Sequence, residues 1–261
     1  MRIKSIVKVM NFHSLIHVDA ARRETEKYLR METEVSKIID IVVNNRNFVL
    51  DKVTLHPNPS LPELNIFIGS DYSFCGGLNA LVSNEMIEDE ESDKIIVGKK
   101  LRTKSASGVV LSITKDEFDE QYELVEKELE KSIFGLKHSS INVIYNHYYH
   151  AGRIALRKKK IFPIPISGEP EGYTEDFVVE GNADALLRSL TATYTSYEVK
   201  IASINSFSSE NIMRQNATTE SLKKIDEMME EKAKEERKEK KQKAFSKVLD
   251  SYVKKNMYGG K

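Results

Sequence analysis

Apolar residues recur at alternating steps of three and four through residues 182–258, a segment that contains no glycine and no proline. Most residue types in this segment favour helix, and the recurring positions form a heptad pattern that is apolar at both ends and polar in the middle. These positions are Leu187, Leu190, Tyr194, Tyr197, Ile201, Ile204, Ser208, Asn211, Gln215, Thr218, Leu222, Ile225 and Met229. An unbroken helix of this length would measure roughly 115 Å, whereas a domain of this size is about 35–40 Å across. The pattern therefore predicts a helix that projects out of its own domain, with a polar middle that is held by other chains or that turns or slides.

The first 45 residues repeat this pattern, since the first proline is Pro57 and the first glycine is Gly69. Three-four steps run from Ile3 to Val42, again with apolar ends and a mixed middle. Two such helices at opposite ends of a chain can pair in antiparallel orientation if a compact domain joins them. The C-terminal helix is the longer of the two, so we expect its tip to extend beyond its partner.

Residues 46–181 have a different pattern, in which short apolar runs alternate with helical periodicity. We expect strands at residues 48–55, 64–68, 93–97, 109–113 and 141–145, an extended segment at 153–165, and helices at 75–88 and 115–134. This alternation predicts an α/β sheet with Rossmann-like winding. The predicted fold is therefore α/β: a long antiparallel coiled coil (residues 1–45 and 182–261) with a Rossmann-like domain (46–181) inserted between its helices.

The distal end of the last helix falls into two parts. Residues 230–243 are almost all charged, so they gain i to i+4 pairs but bury little. An apolar face follows, before Gly259 and Gly260 end the helix. This tip, formed by Phe245, Val248, Leu249 and Tyr252, predicts a hydrophobic socket in a partner.

Composition narrows the range of functions. The chain has 40 Lys plus Arg and 40 Asp plus Glu, and this neutrality argues against a dedicated nucleic-acid binder. Cys75 is the single cysteine, so no intrachain disulfide can form and a reducing compartment is expected. The N-terminus has no signal-peptide core, and no run reaches the ~20 apolar residues of a membrane span. We therefore expect a cytoplasmic protein.

Three clusters of candidate chemistry have simpler structural explanations. His13 and His17 have the spacing of a zinc-binding pair but lack the glutamate of a metalloprotease motif, so a role on the helix surface or in the seam between helices is expected. The NHYYH stretch at residues 146–150 has no cysteine or acidic residue nearby to complete a metal site, and a surface turn is expected. The basic run at residues 157–160 is explained by strand-edge protection or a solvated face, with an acidic partner or lipid headgroups as the alternative.

The turn at residues 69–79 follows a buried strand and opens a helix, a geometry that can bind phosphate. It matches neither GxGxxG nor GxxxxGK[ST], and no lysine or acidic residue completes a nucleotide site. No Ser/His/Asp set is apparent in the sequence either. We expect no catalytic residues, no cofactor and no metal.

Residues 70–79, SDYSFCGGLN, resemble the [ST]-D-R-G-L-C-G-G-L-N signature of the gamma subunit of F-type ATP synthases. We call Asp71, Cys75, Gly76, Gly77 and Asn79 the signature turn. The resemblance continues in family order over nearly the whole chain, at residues 3–7, 19–23, 141–145, 161–165, 179–187 and 208–215. The chain departs from the family where Tyr72, Ser73 and Phe74 replace Arg-Gly-Leu, and in the charged block 230–243. This diverged set resembles the F-type-like ATPase paralogues of mollicutes, some of which drive outputs other than proton-coupled synthesis, such as gliding.

The resemblance implies a central-stalk rotor inside a ring of alternating alpha- and beta-type ATPase subunits, peripheral to the inner face of the cell membrane through its complex. It implies that the tip lies in an apolar bearing and that the Rossmann-like domain meets a small epsilon-like stalk subunit or a membrane ring. It also implies a band in contact with a loop of the catalytic hexamer, with Arg214 offering a charge-assisted fork to an acidic loop. We call this the polar band: Ser208, Asn211, Arg214, Gln215 and Thr218.

Two other classes of function compete with the rotor. An α/β nucleotide-binding enzyme with helical oligomerisation arms would need a ligand at the signature turn. A structural coiled-coil adaptor would form no complex with an ATPase hexamer.

Overall fold

Two long helices at the ends of the chain, α1 (Arg2–Asn44) and α5 (Ala183–Tyr258), lie antiparallel to each other. The computed structural model describes residues 2–45, 47, 50, 54–73, 75–103, 106–150, 153–165 and 181–258. Lys4 near the start of α1 forms an ion pair with Asp226. Further along, the ring centroids of Tyr28 and Tyr197 lie 6.1 Å apart. The predicted pairing of the two chain ends is therefore confirmed.

The segment between them forms β1 (Glu63–Ile68), α2 (Leu78–Glu88), β2 (Asp93–Val97), β3 (Val109–Ile113), α3 (Lys115–Glu120), α4 (Glu123–Phe134), β4 (Ser140–His150) and β5 (Arg153–Phe162). The sheet has the order β3-β2-β1-β4-β5. The first four strands are parallel and β5 runs antiparallel to β4. Parallel strands joined by crossover helices make the domain Rossmann-like, as predicted.

Both faces of the sheet are buried, which explains why β1 and β2 read as continuous apolar runs. On one face Phe67 and Ile96 pack with residues of α2. On the other face Ile66 and Ile95 belong to a core with residues of α4 and with Val199 of α5. The middle of α5 is thus part of the domain core, and the long helix is anchored before it projects.

The structure differs from the predicted elements in three places. The helix expected at residues 115–134 is divided, and the break places Tyr122 against α5, where its hydroxyl donates to the Ser196 carbonyl at 2.7 Å. The helix expected from Cys75 begins at Leu78, because residues 75–77 make the preceding turn. The strand expected at residues 141–145 is longer in the structure, because β4 stays paired with β5 as far as His150.

Two predicted features lie largely outside the described residues. Of the strand expected at residues 48–55, only residues 50, 54 and 55 are described, and none of them is in a strand. Gly259 and Gly260, expected to end the last helix, are not among the described residues.

The last part of α5 has no partner within the described chain. Every side chain described from Asp226 to Met257 is exposed. At about 1.5 Å per residue, this end of the helix extends for almost 50 Å. None of the described helices combines the length and hydropathy needed to cross a membrane.

Candidate functional site: the junction of the signature turn and the long C-terminal helix

The signature turn joins β1 to α2 and lies against α5. Gly76 and Gly77 have φ values of 59° and 83°, in the left-handed region that favours glycine. A Cβ on Gly76 would lie 2.3 Å from Cε of Met213 on α5, whereas one on Gly77 would meet no atom within 4 Å. Gly76 therefore permits the close approach between the turn and the long helix.

The polar residues of the turn are bound to the surrounding backbone. The buried carboxylate of Asp71 accepts hydrogen bonds from the backbone N–H of Lys99 at 2.7 Å and of Lys115 at 3.0 Å. The amide oxygen of Asn79 accepts from the backbone N–H of Ser70 at 2.9 Å. These contacts fix three loops at the carboxyl edge of the sheet and leave neither side chain directed at a ligand.

Cys75 is buried in the turn, and the amide nitrogen of Asn79 donates to its Sγ at 3.3 Å. Burial raises the pKa of the thiol, and Glu210 raises it further. A neutral, enclosed thiol is a poor nucleophile. The cysteine of the signature therefore fills space against α5 and does not carry chemistry.

The polar band is partly an internal interface. Asn211 and Thr218 are only 1% and 6% exposed. Asn11 of α1 donates to the Thr218 hydroxyl at 2.9 Å and to the Gln215 carbonyl at 3.1 Å. Ser208, Arg214 and Gln215 are half-buried. Part of the polar middle of the heptad pattern therefore serves the pairing with α1.

An apolar cleft of about 650 Å³ lies beside the band, between α1, α5 and the signature turn. It joins residues that are distant in sequence: Val9, Met10, His13, Ser14, His17, Tyr72, Ser73, Asp116, Phe207, Asn211 and Arg214. Thus the structure brings the polar band and the signature turn, predicted separately, to one place.

Arg214 is the main cationic group of this cleft. Its Nη1 donates to the Asn211 side-chain oxygen at 2.8 Å, and its Cζ lies 5.9 Å from the ring centroid of Tyr72. Its Nη2 is buried and has no hydrogen-bond partner among the described residues. Burial lowers the pKa of His17, and His13 and Arg214 lower it further, so this imidazole is neutral at pH 7. The guanidinium also lines the cleft, where it can donate hydrogen bonds to a carboxylate.

Glu210 is the acidic group on α5 at this junction, and it is 5% exposed. Burial raises its pKa to about 7, although the Ser70 hydroxyl, Arg214 and Lys115 each lower it. Asp71 adds a smaller upward contribution. The carboxyl group is therefore harder to ionise than that of an exposed glutamate, and it lies one helical turn from Arg214. Glu210 was not singled out from the sequence, where it appears only as a charge inside the 208–215 resemblance.

The predicted tip lies far from this junction. Phe245, Val248, Leu249 and Tyr252 are 67%, 66%, 47% and 64% exposed. They follow Arg214 by at least 31 residues of unbroken helix, or roughly 45 Å. The junction and the tip are therefore two separate candidate contact regions along one helix.

This geometry agrees with a comparison against protein families. A family model described as ATP synthase matches residues 1–258, nearly the whole chain. Curated relatives that match over most of their length are ATP synthase gamma chains. The chain belongs to the ATP synthase gamma-chain family. As a gamma chain it is a non-catalytic stalk subunit of a rotary complex, which agrees with the expectation that it has no active site of its own.

The gamma chain is a diverged member. It is 24% identical to the ATP synthase gamma chain of Clostridium beijerinckii over 248 residues, covering 88% of this chain and 86% of that one. It is 28% identical to the Clostridium novyi gamma chain over 228 residues, covering 82% and 79%. Its fold is similar to a chain in the central stalk and c-ring structure of the Tetrahymena thermophila mitochondrial ATP synthase, with a TM-score of 0.55, 18% identity, and coverage of 83% and 99%. It is also similar to a chain of the Euglena gracilis mitochondrial ATP synthase, with a TM-score of 0.53 and 16% identity, and the match covers 93% of this chain and 95% of that one.

The remaining candidate motifs have structural roles in the gamma chain. The rings of His13 and His17 lie 4.6 Å apart, and no group of three metal-ligating side chains occurs among the described residues. In the basic run, Lys159 pairs with Glu198 of α5 at 2.6 Å and Lys158 with Glu63 at 3.6 Å. Half of that run is therefore neutralised within the domain.

One constellation was missed in the sequence. His138 bridges the Ser132 hydroxyl, at 2.7 Å, and a carboxylate oxygen of Asp93, at 3.1 Å, in the connectivity of a catalytic triad. Ser132 is 1% exposed, so no substrate reaches its hydroxyl. The set joins α4 to β2, and its buried serine makes it a structural contact and not an active site.

Proposed function

We propose that this gamma chain is the rotor of an F-type or F-type-like rotary ATPase, enclosed by a hexamer of alpha- and beta-type subunits. The observation that carries the proposal is the end of α5, a single helix on which every described side chain from Asp226 to Met257 is exposed. An isolated helix gains most of its stability from packing, so this end requires a surrounding partner. A hexamer with an apolar bearing supplies such a surface for Phe245, Val248, Leu249 and Tyr252.

The cleft at the junction is the second contact in this proposal. A carboxylate from an acidic loop of a catalytic subunit would meet the half-buried guanidinium of Arg214 where it lines the cleft. Because one asymmetric shaft meets each catalytic subunit differently, each subunit is held in a different nucleotide state, and hydrolysis is coupled to rotation through differential binding. The Rossmann-like domain, at the other end of the shaft, would meet an epsilon-like stalk subunit or a membrane ring. This arrangement holds the chain at the inner face of the cell membrane through its complex.

The test is reconstitution of the chain with the alpha- and beta-type subunits of its own genome. Native mass spectrometry should show one gamma chain per hexamer, and the isolated chain should hydrolyse no ATP. Phe245→Asp with Leu249→Asp should uncouple hydrolysis from the shaft, because two charges would enter the apolar bearing. Lys37→Glu, which breaks only an exposed pair with Glu34, is the control and should leave coupling intact. ATP hydrolysis by the chain alone, or the absence of a complex, would overturn the proposal.

We further propose that the motor drives a mechanical load. The replaced residues Tyr72 and Ser73 and the charged block 230–243 are departures that fit a specialised motor with a mechanical load such as gliding. Deletion of the chain should then abolish motility while proton-driven ATP synthesis continues. Loss of synthesis with normal motility would identify the ordinary synthase rotor instead.

A further inference from the structure

The β4–β5 hairpin extends past the end of the sheet. Pairing of β4 with β1 stops at Phe67 and Ile144, whereas β4 and β5 remain paired as far as His150 and Arg153. Residues beyond Ile144 thus form a two-stranded ribbon about 20 Å long. Because β1 and β4 are parallel, the ribbon overhangs the same edge of the sheet as the signature turn. This is the edge from which α5 continues toward its exposed end.

One face of the ribbon carries an ordered row of rings. The centroids of Tyr145 and His147 are 5.7 Å apart, and those of His147 and Tyr149 are 4.5 Å apart. Cζ of Arg153 lies 5.1 Å from the ring centroid of Tyr149. The Tyr149 side chain is 47% exposed. Arg157 is the cross-strand partner of Tyr145 and therefore shares this face. These contacts place the rings side by side along one face of the ribbon.

The charge of this hairpin is one-sided. Residues 140–165 contain five Lys or Arg and no Asp or Glu, although the whole chain is neutral. Two of the five cations are paired internally, as described above. Arg153, Arg157 and Lys160 form no ion pair within the described part of the chain. Burial lowers the pKa of His147, and the positive charges of Arg157 and Lys159 lower it further. Its ring therefore adds little charge at pH 7.

We propose that Tyr149, Arg153 and Arg157 form a docking surface for an acidic segment of a protein subunit that surrounds the α5 shaft. A guanidinium stacked on a tyrosine ring keeps its outer edge free for two parallel hydrogen bonds to a carboxylate. The ring beside it supplies apolar contact at little entropic cost. The ribbon lies at the shaft edge of the domain, where the proposed function places other subunits and not a bilayer. The inference rests on that proposed function.

The test compares Arg153→Glu with Lys160→Glu in the full chain. Both variants replace an exposed cation by glutamate, so they change net charge equally. Neither cation has an ion pair among the described residues, and the two lie on opposite faces of β5. Binding to the alpha–beta hexamer is measured by titration at 50 and 200 mM salt. Arg153→Glu should weaken binding about tenfold and flatten its salt dependence, while Lys160→Glu binds as the wild type does.

Several outcomes overturn the inference, and they are distinguishable. If the wild type fails to bind the hexamer, the proposed function fails and this inference fails with it. If the wild type binds and Arg153→Glu binds equally well, the inference alone fails. Equal weakening by both variants would indicate net charge and not a docking surface. Binding of the wild type to phosphatidylserine vesicles that Arg153→Glu abolishes would assign the surface to lipid headgroups. Thermal unfolding of both variants should match the wild type, which shows that the fold is unchanged.

Discussion

The buried carboxyl group of Glu210 makes the stability of the junction between the domain and α5 depend on pH. The group is 5% exposed, and the described charges that face it are Arg214 on its own helix, Lys115 at the start of α3 and Asp71 in the signature turn. Burial dominates these neighbours and raises the pKa from 4.5 to about 7. The substitution Glu210→Gln tests this dependence, because it keeps the shape of the side chain and removes its ionisation.

The magnitude follows from the difference between the folded and unfolded pKa. Between the two values the folded chain holds a proton that the unfolded chain releases, so the free energy of unfolding falls as pH rises. A difference of about 2.5 pH units at about 1.4 kcal/mol per unit gives roughly 3 kcal/mol. This stability is fully present below the unfolded pKa and is lost by the time pH passes the folded pKa of about 7.

The assay is urea unfolding followed by far-UV circular dichroism at pH 5 and pH 8. At pH 5 the wild type keeps most of this contribution, so Glu210→Gln should match it to within about 1 kcal/mol. At pH 8 the wild type must bury a charge, so the variant should be the more stable by up to about 3 kcal/mol. Glu230→Gln, on the exposed end of α5, is the matched control and should give no pH-dependent difference. Parallel stability–pH curves for the wild type and Glu210→Gln would refute the reasoning.

Two further predictions test the contacts of α5. Gly76→Ala should destabilise the chain by about 1–2 kcal/mol because its φ is positive, since the Met213 Cε that a Cβ would meet at 2.3 Å is the end of a flexible side chain and can move aside. Gly77→Ala has the positive φ and open space around its Cβ, so it should cost a similar amount by thermal unfolding; a much larger loss for Gly76→Ala would show that Met213 cannot move aside. Glu198→Ala should cost roughly 2–3 kcal/mol by urea titration, because it leaves the partly buried ammonium of Lys159 without its partner at 2.6 Å. A loss below about 0.5 kcal/mol would mean that this pair behaves like an exposed surface pair.

The long helices and the strands of the sheet were predictable because their signals are local. Absence of glycine and proline, together with the three-four steps, is sufficient for α1 and α5. Short apolar runs such as residues 64–68 are sufficient for strands buried on both faces. The signature turn was also recognisable, since residues 70–79 resemble a family signature, and both of its glycines have positive φ in the structure.

The remaining features depend on contacts between residues distant in sequence. The polar middle of α5 was interpreted as a region that is held by other chains or that turns or slides. The structure adds a contact within the chain, in which Asn11 of α1 donates to the Thr218 hydroxyl and the Gln215 carbonyl. The periodicity of the two helices does not reveal which residue of α1 will face which residue of α5. Likewise, the division of the helix at Gln121 depends on where Tyr122 finds the Ser196 carbonyl, 74 residues away. Tertiary contacts also decide that Glu210 is buried, and its neighbours in sequence give no sign of it.

Hydrogen–deuterium exchange of α5, alone and in the reconstituted complex, tests the central claim most directly. Residues 230–254 form a single exposed helix in the isolated gamma chain, so their amides should exchange almost as fast as those of an unstructured peptide. Enclosure in a hexamer should slow that exchange by about a hundredfold or more, while the amides of β1, already in the core, stay unchanged. Equal exchange of residues 230–254 in the two states would contradict the account, because the exposed end of α5 would then not be the enclosed shaft.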